Sequence, residues 1–181
     1  TAQTATMMGP PHTLVGGPVK VQTALTIVIT LACTLAGCGP ANYVMMTDTM
    51  APTIERGDII AVDMDAYAQR DPAIGEMVAY HAPDDREGKL LMGRVVALGG
   101  DTVRVEDGTL HRNSEPVDEP YAVGKTPWDL EETEVPDGHG YILGDNRDEA
   151  RDSHVFGPVP MDLIAGRITD VQKPPGSNTN G

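Results

Sequence analysis

A chain of 181 residues, of which 40% are hydrophobic, is long enough for one ordinary domain and a targeting segment. Its formal net charge of −14 argues against nucleic acid as a partner, because phosphate backbones are bound by basic surfaces. Cys33 and Cys38 both lie in one hydrophobic N-terminal run, so the sequence predicts no disulfide framework, no metal site and no cofactor in the rest of the chain.

The first 38 residues have the layout of a disordered start followed by a membrane-directed segment. Residues 1–19 carry no formal charge and are rich in Thr, Gly and Pro, and we expect them to be disordered. Residues 20–38 consist of Lys20 and an uncharged apolar run, which is typical of a signal sequence or a short membrane span. Because Lys20 marks the cytoplasmic flank, we predict that the rest of the chain lies at the extracytoplasmic side of the cell membrane.

The sequence leaves two modes of anchoring open. Residues 35–38, Leu-Ala-Gly-Cys, resemble the bacterial lipobox, in which a Cys after small residues becomes lipid-modified, so Cys38 is a candidate lipidation site. The alternative is an uncleaved transmembrane helix whose last turn contains Cys38. A lipidated Cys carrying two or more acyl chains would hold the protein stably at the membrane.

Short runs rich in β-forming residues follow this segment and are separated by turn signals. They cover residues 59–62, 76–81, 90–98, 102–106, 109–112, 141–143 and 164–171. The alternating run 102–106 meets Asp107-Gly108 and resumes at 109–112, which predicts a tight hairpin. We therefore predict a mainly β, mostly antiparallel domain over residues 43–171, with an irregular excursion at 115–136. The tail at 172–181, rich in Pro, Gly and Asn, is predicted to be disordered.

Three sequence blocks resemble type I signal peptidases and occur in the order found in that family. The first is Thr-Met-Ala-Pro-Thr at 49–53, followed by Gly-Asp at 57–58. The second runs from Arg94 to Asp101, and the third begins Gly-Asp-Asn-Arg-Asp at 144–148 and continues through Asp152-Ser153. The resemblance covers residues 43–171 and implies the family's antiparallel β-domain, preceded by a membrane segment.

The resemblance implies a peptidase in which a Ser attacks the scissile carbonyl and a neutral Lys takes its proton. At the matching positions this chain has Thr49 for the nucleophile, Gly93 for the general base and Ala150 for the Ser that orients the Lys. Thr47 keeps a hydroxyl at the oxyanion-hole position. The resemblance also assigns two residues to the substrate cleft, Met50 and Pro52, and five to a structural motif, Asp145, Asn146, Arg147, Asp148 and Asp152.

No basic side chain occupies the position of the family's Lys, which is Gly93 here. Arg94 stays protonated, and Lys89, four residues before Gly93, would lie about 13 Å away along an extended strand at ~3.3 Å per residue. A His can act as a base, and the candidates are His81, His111, His139 and His154, the last of which replaces an Arg of the family pattern. Loss of one member of a nucleophile–base pair typically lowers kcat by roughly 10⁴ to 10⁶, so the resemblance predicts a degenerate catalytic site.

These observations favour a non-catalytic signal peptidase homologue that binds extended secreted or pilin-like polypeptides through the family's cleft. Binding by strand addition needs backbone hydrogen bonds but no nucleophile. The alternative is an active endopeptidase that processes exported preproteins with Thr49 as nucleophile. A third hypothesis, a structural surface lipoprotein, fits the acidity but leaves the three blocks unexplained. The predicted partners are a membrane and extended preprotein segments.

Overall fold

The computed structural model of the protein describes residues 39–84, 88–123 and 126–174. The predicted N-terminal segments, residues 1–19 and 20–38 with Cys38, lie outside the described residues, as do residues 175–181 of the predicted tail. Within the described ranges, no helix is long and apolar enough to cross a membrane.

In the described residues, two antiparallel sheets make up most of the fold. The larger sheet contains seven strands: β1 (Ala41–Val44), β2 (Ile59–Asp63), β3 (Met77–His81), β4 (Leu90–Leu98), β9 (His139–Leu143), β10 (Val159–Pro160) and β11 (Ile164–Gln172), in the order β1-β2-β11-β3-β4-β9-β10. The smaller sheet contains four strands: β5 (Thr102–Glu106), β6 (Thr109–Arg112), β7 (Glu115–Pro116) and β8 (Leu130–Glu134), in the order β7-β6-β5-β8. One helical turn, α1 (Ser153–Phe156), and a 3₁₀ turn, Met161–Leu163, precede β11.

The mainly antiparallel β fold predicted from the sequence is confirmed, and each predicted run contains a strand. The hairpin between β5 and β6 turns through Asp107 and Gly108, both at positive φ (51° and 76°), as a tight two-residue turn requires. The predicted irregular excursion at 115–136 contains two strands, β7 and β8, which the sequence did not predict. The last strand ends at Gln172, one residue beyond the predicted boundary of the domain.

Strands β4 and β9 form the centre of the fold because both of their faces are buried. On one face, Tyr141 and Leu143 of β9 pack with residues of the smaller sheet such as Val103 and Leu110. On the other face, Ile142 packs against Tyr80 in a second cluster. Burial of apolar side chains on both faces fixes the backbone of these strands, so residues at their ends are held rigidly.

Candidate substrate cleft

A pocket of about 290 Å³ lies between two separate stretches of the chain. One wall consists of residues 44–47 and Thr49, from the end of β1 onward, and the opposite wall consists of residues 90–92 at the start of β4. Residues 149–152 complete the lining. Val44 and Met46 are 53% and 71% exposed, so the pocket has an apolar rim on the side of β1.

The loop that carries Thr49 is held by its own buried side chains and by hydrogen bonds from Asn146. Met50 and Ile54 are fully buried, and the Ile54 amide donates to the Met50 carbonyl at 2.9 Å, which forms a compact turn. Asn146 donates its backbone N–H to the Thr49 carbonyl and its side-chain amide to the Asp48 carbonyl, both at 3.1 Å. The first and third sequence blocks are therefore joined directly at the pocket.

Thr49 and Ala150 line the same pocket, on either side of Gly144. A Cβ atom on Gly144 would lie 2.5 Å from both the Ala150 Cβ and the Thr49 carbonyl oxygen, which is closer than real Cβ atoms approach. Only glycine allows the three backbone segments to meet here. The Thr49 hydroxyl lies 3.1 Å from the Thr47 hydroxyl, and both side chains line the pocket.

Gly93, at the general-base position, does not line this pocket. Its neighbours Leu91 and Met92 do, but a Cβ on Gly93 would point into the core, 2.5 Å from Ile142 Cγ2 and 3.2 Å from Tyr80 Cε1. The resemblance predicts that Gly93 shares one cleft with Thr49 and Ala150, but of these three residues only Thr49 and Ala150 line the pocket. The structure shows in addition that the space beside Gly93 is filled by two side chains from β3 and β9.

Besides Gly93, six predicted site residues lie away from the pocket lining: Met50, Pro52, Asp145, Asn146, Arg147 and Asp148. Met50, assigned to the substrate cleft, is fully buried in a core cluster because its side chain anchors the Thr49 loop. Pro52, also assigned to the cleft, is exposed on the outside of the same turn. Asp148 of the predicted structural motif is exposed as well.

Asp145 is buried and forms the centre of a charged cluster next to the pocket. Arg94 donates from Nε and Nη2 to the two carboxylate oxygens at 2.9 and 2.7 Å, and the Thr53 hydroxyl donates at 2.5 Å. The Arg94 guanidinium also lies 4.1 Å from the centre of the Tyr121 ring. Although burial alone would lower it, the hydrogen bond and charge of Asp145 raise the pKa of Arg94, so this residue cannot serve as a base.

Arg147 is buried and holds the excursion against the third block. It donates to both carboxylate oxygens of Glu119 at 3.1 and 2.6 Å, and to the Thr126 hydroxyl at 3.1 Å. Its Nε donates to the Gly144 carbonyl at 3.0 Å. The sequence did not predict this bracing role of Glu119 and Thr126, because the partners lie far apart in sequence.

Asp152 lines the pocket but its carboxylate is fully engaged. One oxygen accepts the Gly144 amide at 2.8 Å, and the other accepts the backbone N–H of His154, which caps α1. The His154 Nδ1 lies 2.9 Å from the same oxygen, and its ring stacks on Trp128 with 4.4 Å between the ring centres. Asp152 therefore links the backbone at Gly144 to the first turn of α1.

In the part of the chain that the structure describes, none of the candidate histidines is hydrogen-bonded to Thr49 or lines the pocket. The Nδ1 atoms of His81, His111 and His139 lie 2.9–3.1 Å from backbone carbonyl oxygens, and His154 pairs with Asp152. Among the described residues, the Thr49 hydroxyl has Thr47 as its hydrogen-bond partner. The described part of the chain thus presents two hydroxyls in an apolar pocket, with no basic side chain of that part bonded to either.

A family model described as "Signal peptidase, peptidase S26" matches residues 19–171 of the chain. The chain is 35% identical over 126 residues to a protein described as probable signal peptidase I-1 of Synechocystis sp.. The matched region covers 66% of this chain and 64% of that protein. It is 32% identical over 136 residues to thylakoidal processing peptidase 1 of Arabidopsis thaliana, covering 70% of this chain and 40% of that protein. The matched part thus spans less than two thirds of either relative.

Two further similar proteins carry the same description. Signal peptidase I of Bacillus caldolyticus is 32% identical over 142 residues, covering 71% of this chain and 76% of that protein. The crystal structure of a signal peptidase I from Enterococcus faecalis matches with a TM-score of 0.49 and 27% identity, covering 55% of this chain and 98% of that one.

Proposed function

Because the chain belongs to the signal peptidase family, peptidase S26, as its sequence resemblance predicted, we propose that it is a non-catalytic member that binds extended segments of exported polypeptides in the pocket between residues 44–49 and 90–92. The proposal includes an anchor formed by residues 20–38 and a domain on the extracytoplasmic side. All 27 acidic residues follow residue 47, so the domain itself would be repelled by anionic lipids and needs such an anchor.

The observation that carries the proposal is the environment of Gly93. A hydroxyl is a weak nucleophile until a base takes its proton, and the family's base position has no side chain here. Ile142 and Tyr80 occupy the space into which a side chain would extend. Ala150 likewise offers no hydroxyl to orient an amine. The residues at positions 93 and 150 both argue against proton transfer from Thr49.

Strand β4 supports the binding part of the proposal. Residues 90–92 pair with β3 on one side, whereas pairing with β9 on the other side begins only at Arg94. Within the described residues, the second edge of this segment therefore has no strand partner and faces the pocket. An extended peptide that adds to such an edge gains backbone hydrogen bonds, and its alternate side chains enter the pocket.

A second candidate function is slow endopeptidase activity with Thr49 as nucleophile. It is favoured by the two retained hydroxyls of Thr47 and Thr49, which lie 3.1 Å apart in the pocket. Under this alternative, Thr47 stabilises the oxyanion and water or a substrate group takes the proton. The two functions differ in whether Thr49 is needed for a change in the peptide.

One experiment separates the two functions. The full chain and its Thr49→Ala variant are mixed with a labelled peptide that spans a preprotein cleavage region, and both affinity and peptide mass are measured. We expect equal binding by the two proteins and an intact peptide after long incubation. Cleavage that disappears in the Thr49→Ala variant would establish the endopeptidase instead, and absence of binding would reject the non-catalytic reading.

A further inference from the structure

The end of the last strand lies beside the loop that carries Thr49. Gln172 of β11 pairs with Ile59, the first residue of β2. Lys173 therefore comes next to Asp58, the residue that closes the loop. The tail composition predicted disorder from residue 172, but this position brings a cation to the loop.

Lys173 is bonded to two carboxylates of that loop. Its Nζ lies 3.0 Å from Asp58 Oδ2 and 2.8 Å from Glu55 Oε2. Asp58 is only 1% exposed, and the same oxygen accepts the Glu55 amide at 2.9 Å. The hydrogen bonds that Lys173 donates to Glu55 and Asp58 raise the pKa of Lys173, so the side chain stays charged at neutral pH.

Asp58 is in turn bonded to the wall of the pocket. The Met45 amide donates to the Asp58 carbonyl, and the Gly57 amide donates to the Met45 carbonyl, both at 2.8 Å. Met45 lines the pocket and is followed directly by Met46 and Thr47, which also line it. Two steps thus connect the Lys173 amine to the pocket wall.

We propose that Lys173 is a positioning residue of the substrate cleft, which holds Asp58 and through it the wall formed by residues 44–47. The inference rests on the proposed peptide binding. A carboxylate that is buried without a cation must take up a proton or move toward water. Either change shifts the backbone that bonds to Met45, and the wall loses its fixed distance from residues 90–92.

Hydrogen exchange of the full chain tests the positioning role of Lys173 without any peptide. In the Lys173→Met variant, we expect the amides of Met45 and Gly57 to exchange about tenfold faster or more, because this loop opens locally. The conservative variant Lys173→Arg should exchange as the parent does. Arg104→Met is a matched control, since Arg104 pairs with Glu106 in the other sheet. Unchanged exchange in Lys173→Met overturns the proposal.

The affinity for the labelled peptide is measured on the same variants. We expect Lys173→Met to weaken binding about fivefold or more, with recovery in Lys173→Arg and no change in Arg104→Met. Faster exchange in Lys173→Met together with a parent that binds no peptide supports the positioning role of Lys173 and rejects the proposed function. If the parent binds the peptide and Lys173→Met is unchanged in both exchange and affinity, only the positioning role of Lys173 is rejected.

A double variant keeps the test decisive if Lys173→Met does not fold. Asp58→Asn with Lys173→Met leaves no buried charge at position 58, while the Asn oxygen can still accept the Glu55 amide. We expect this variant to fold and its Met45 and Gly57 amides still to exchange faster than in the parent, because the tie to β11 is missing. Parent-like exchange in the double variant overturns the proposal.

Discussion

The ring of Tyr80 lies where a side chain at Gly93 would begin, with its Cε1 atom 3.2 Å from the Cβ position of residue 93. Ile142 approaches the same point even more closely, at 2.5 Å. These residues belong to the two strands that flank β4, so the closure of this space is part of the packing of the central sheet. The lack of space for a side chain at residue 93 is therefore a property of the core as well as of that residue.

The first prediction compares two glycines in strands. Gly93→Ala places a methyl group against Ile142 Cγ2, and we expect it to lower the free energy of unfolding by ~1–3 kcal/mol. In the control, Gly140→Ala, the nearest atom to the new Cβ is Met161 Cε at 3.6 Å, an ordinary contact. We expect that change to stay within ~0.5 kcal/mol of the parent, as measured by urea unfolding. Equal effects of the two substitutions would contradict the packing described at Gly93.

The second prediction concerns restored catalysis. Thr49→Ser, Gly93→Lys and Ala150→Ser supply the family's chemical groups, but the lysine has no space beside Ile142. We expect peptide cleavage only when Ile142→Ala is added, and the buried amine should then have a lowered pKa, as a general base requires.

The control for this prediction replaces Gly93→Lys by Gly93→Met in the same fourfold variant. Methionine fills a similar volume without an amine, so this protein should fold and leave the peptide intact. Cleavage by the threefold variant at the rate of the fourfold one would show that space at residue 93 is not limiting.

The third prediction compares two arginine–aspartate pairs. Arg94→Met leaves the fully buried Asp145 carboxylate without its cation, and we expect a loss of ~3–5 kcal/mol in the free energy of unfolding. Arg56→Met removes an exposed pair with Asp48, and the expected change is ~0–1 kcal/mol. Thermal unfolding with denaturant titration measures both. A small effect at Arg94 would mean that Thr53 and neighbouring groups suffice to hold the Asp145 carboxylate.

Much of the fold could be predicted because its strands follow simple local rules. The β5–β6 hairpin alternates, with Val103, Val105 and Leu110 buried, and turns at Asp107-Gly108. Strand β8, Leu-Glu-Glu-Thr-Glu, shows no such alternation, since Leu130 and Thr133 are half-buried and its pairing with β5 shifts register. Its pairing with β5, rather than its own pattern, makes it a strand.

The site was less predictable because its key contacts join distant segments. The sequence showed that Gly93 lacks an amine, but only the structure shows Tyr80 and Ile142 beside it. Met50 was predicted to line the cleft, yet its side chain is buried in a core cluster and anchors the Thr49 loop. Lys173 lies in a tail whose composition predicts disorder, and its bond to Asp58 depends on the register of β11 against β2.

Glu76 should make the stability of the protein sensitive to acid. Its carboxylate accepts hydrogen bonds from Arg70 at 2.8 and 3.1 Å, from the Tyr67 hydroxyl at 3.1 Å and from the Ala73 amide at 3.0 Å. Burial by itself would raise its pKa, but these partners outweigh burial and lower the pKa of Glu76 to about 2. The loop before β3 therefore depends on an ionised Glu76.

The sign of the pH effect follows from that lowered pKa. The pKa of Glu is ~4.3 in an unfolded chain, so the stabilisation is fully present above that pH and is lost as the pH falls toward 2. We expect Glu76→Gln to lower the free energy of unfolding by ~1–2 kcal/mol at pH 7, after allowance for solvent screening, and by progressively less below pH ~4. Urea unfolding between pH 7 and pH 2.5 measures the difference, with the exposed Glu131→Gln as control. If the difference in free energy of unfolding stays constant down to pH 2.5, the contacts of Glu76 stabilise the loop through packing rather than through the charge of the carboxylate.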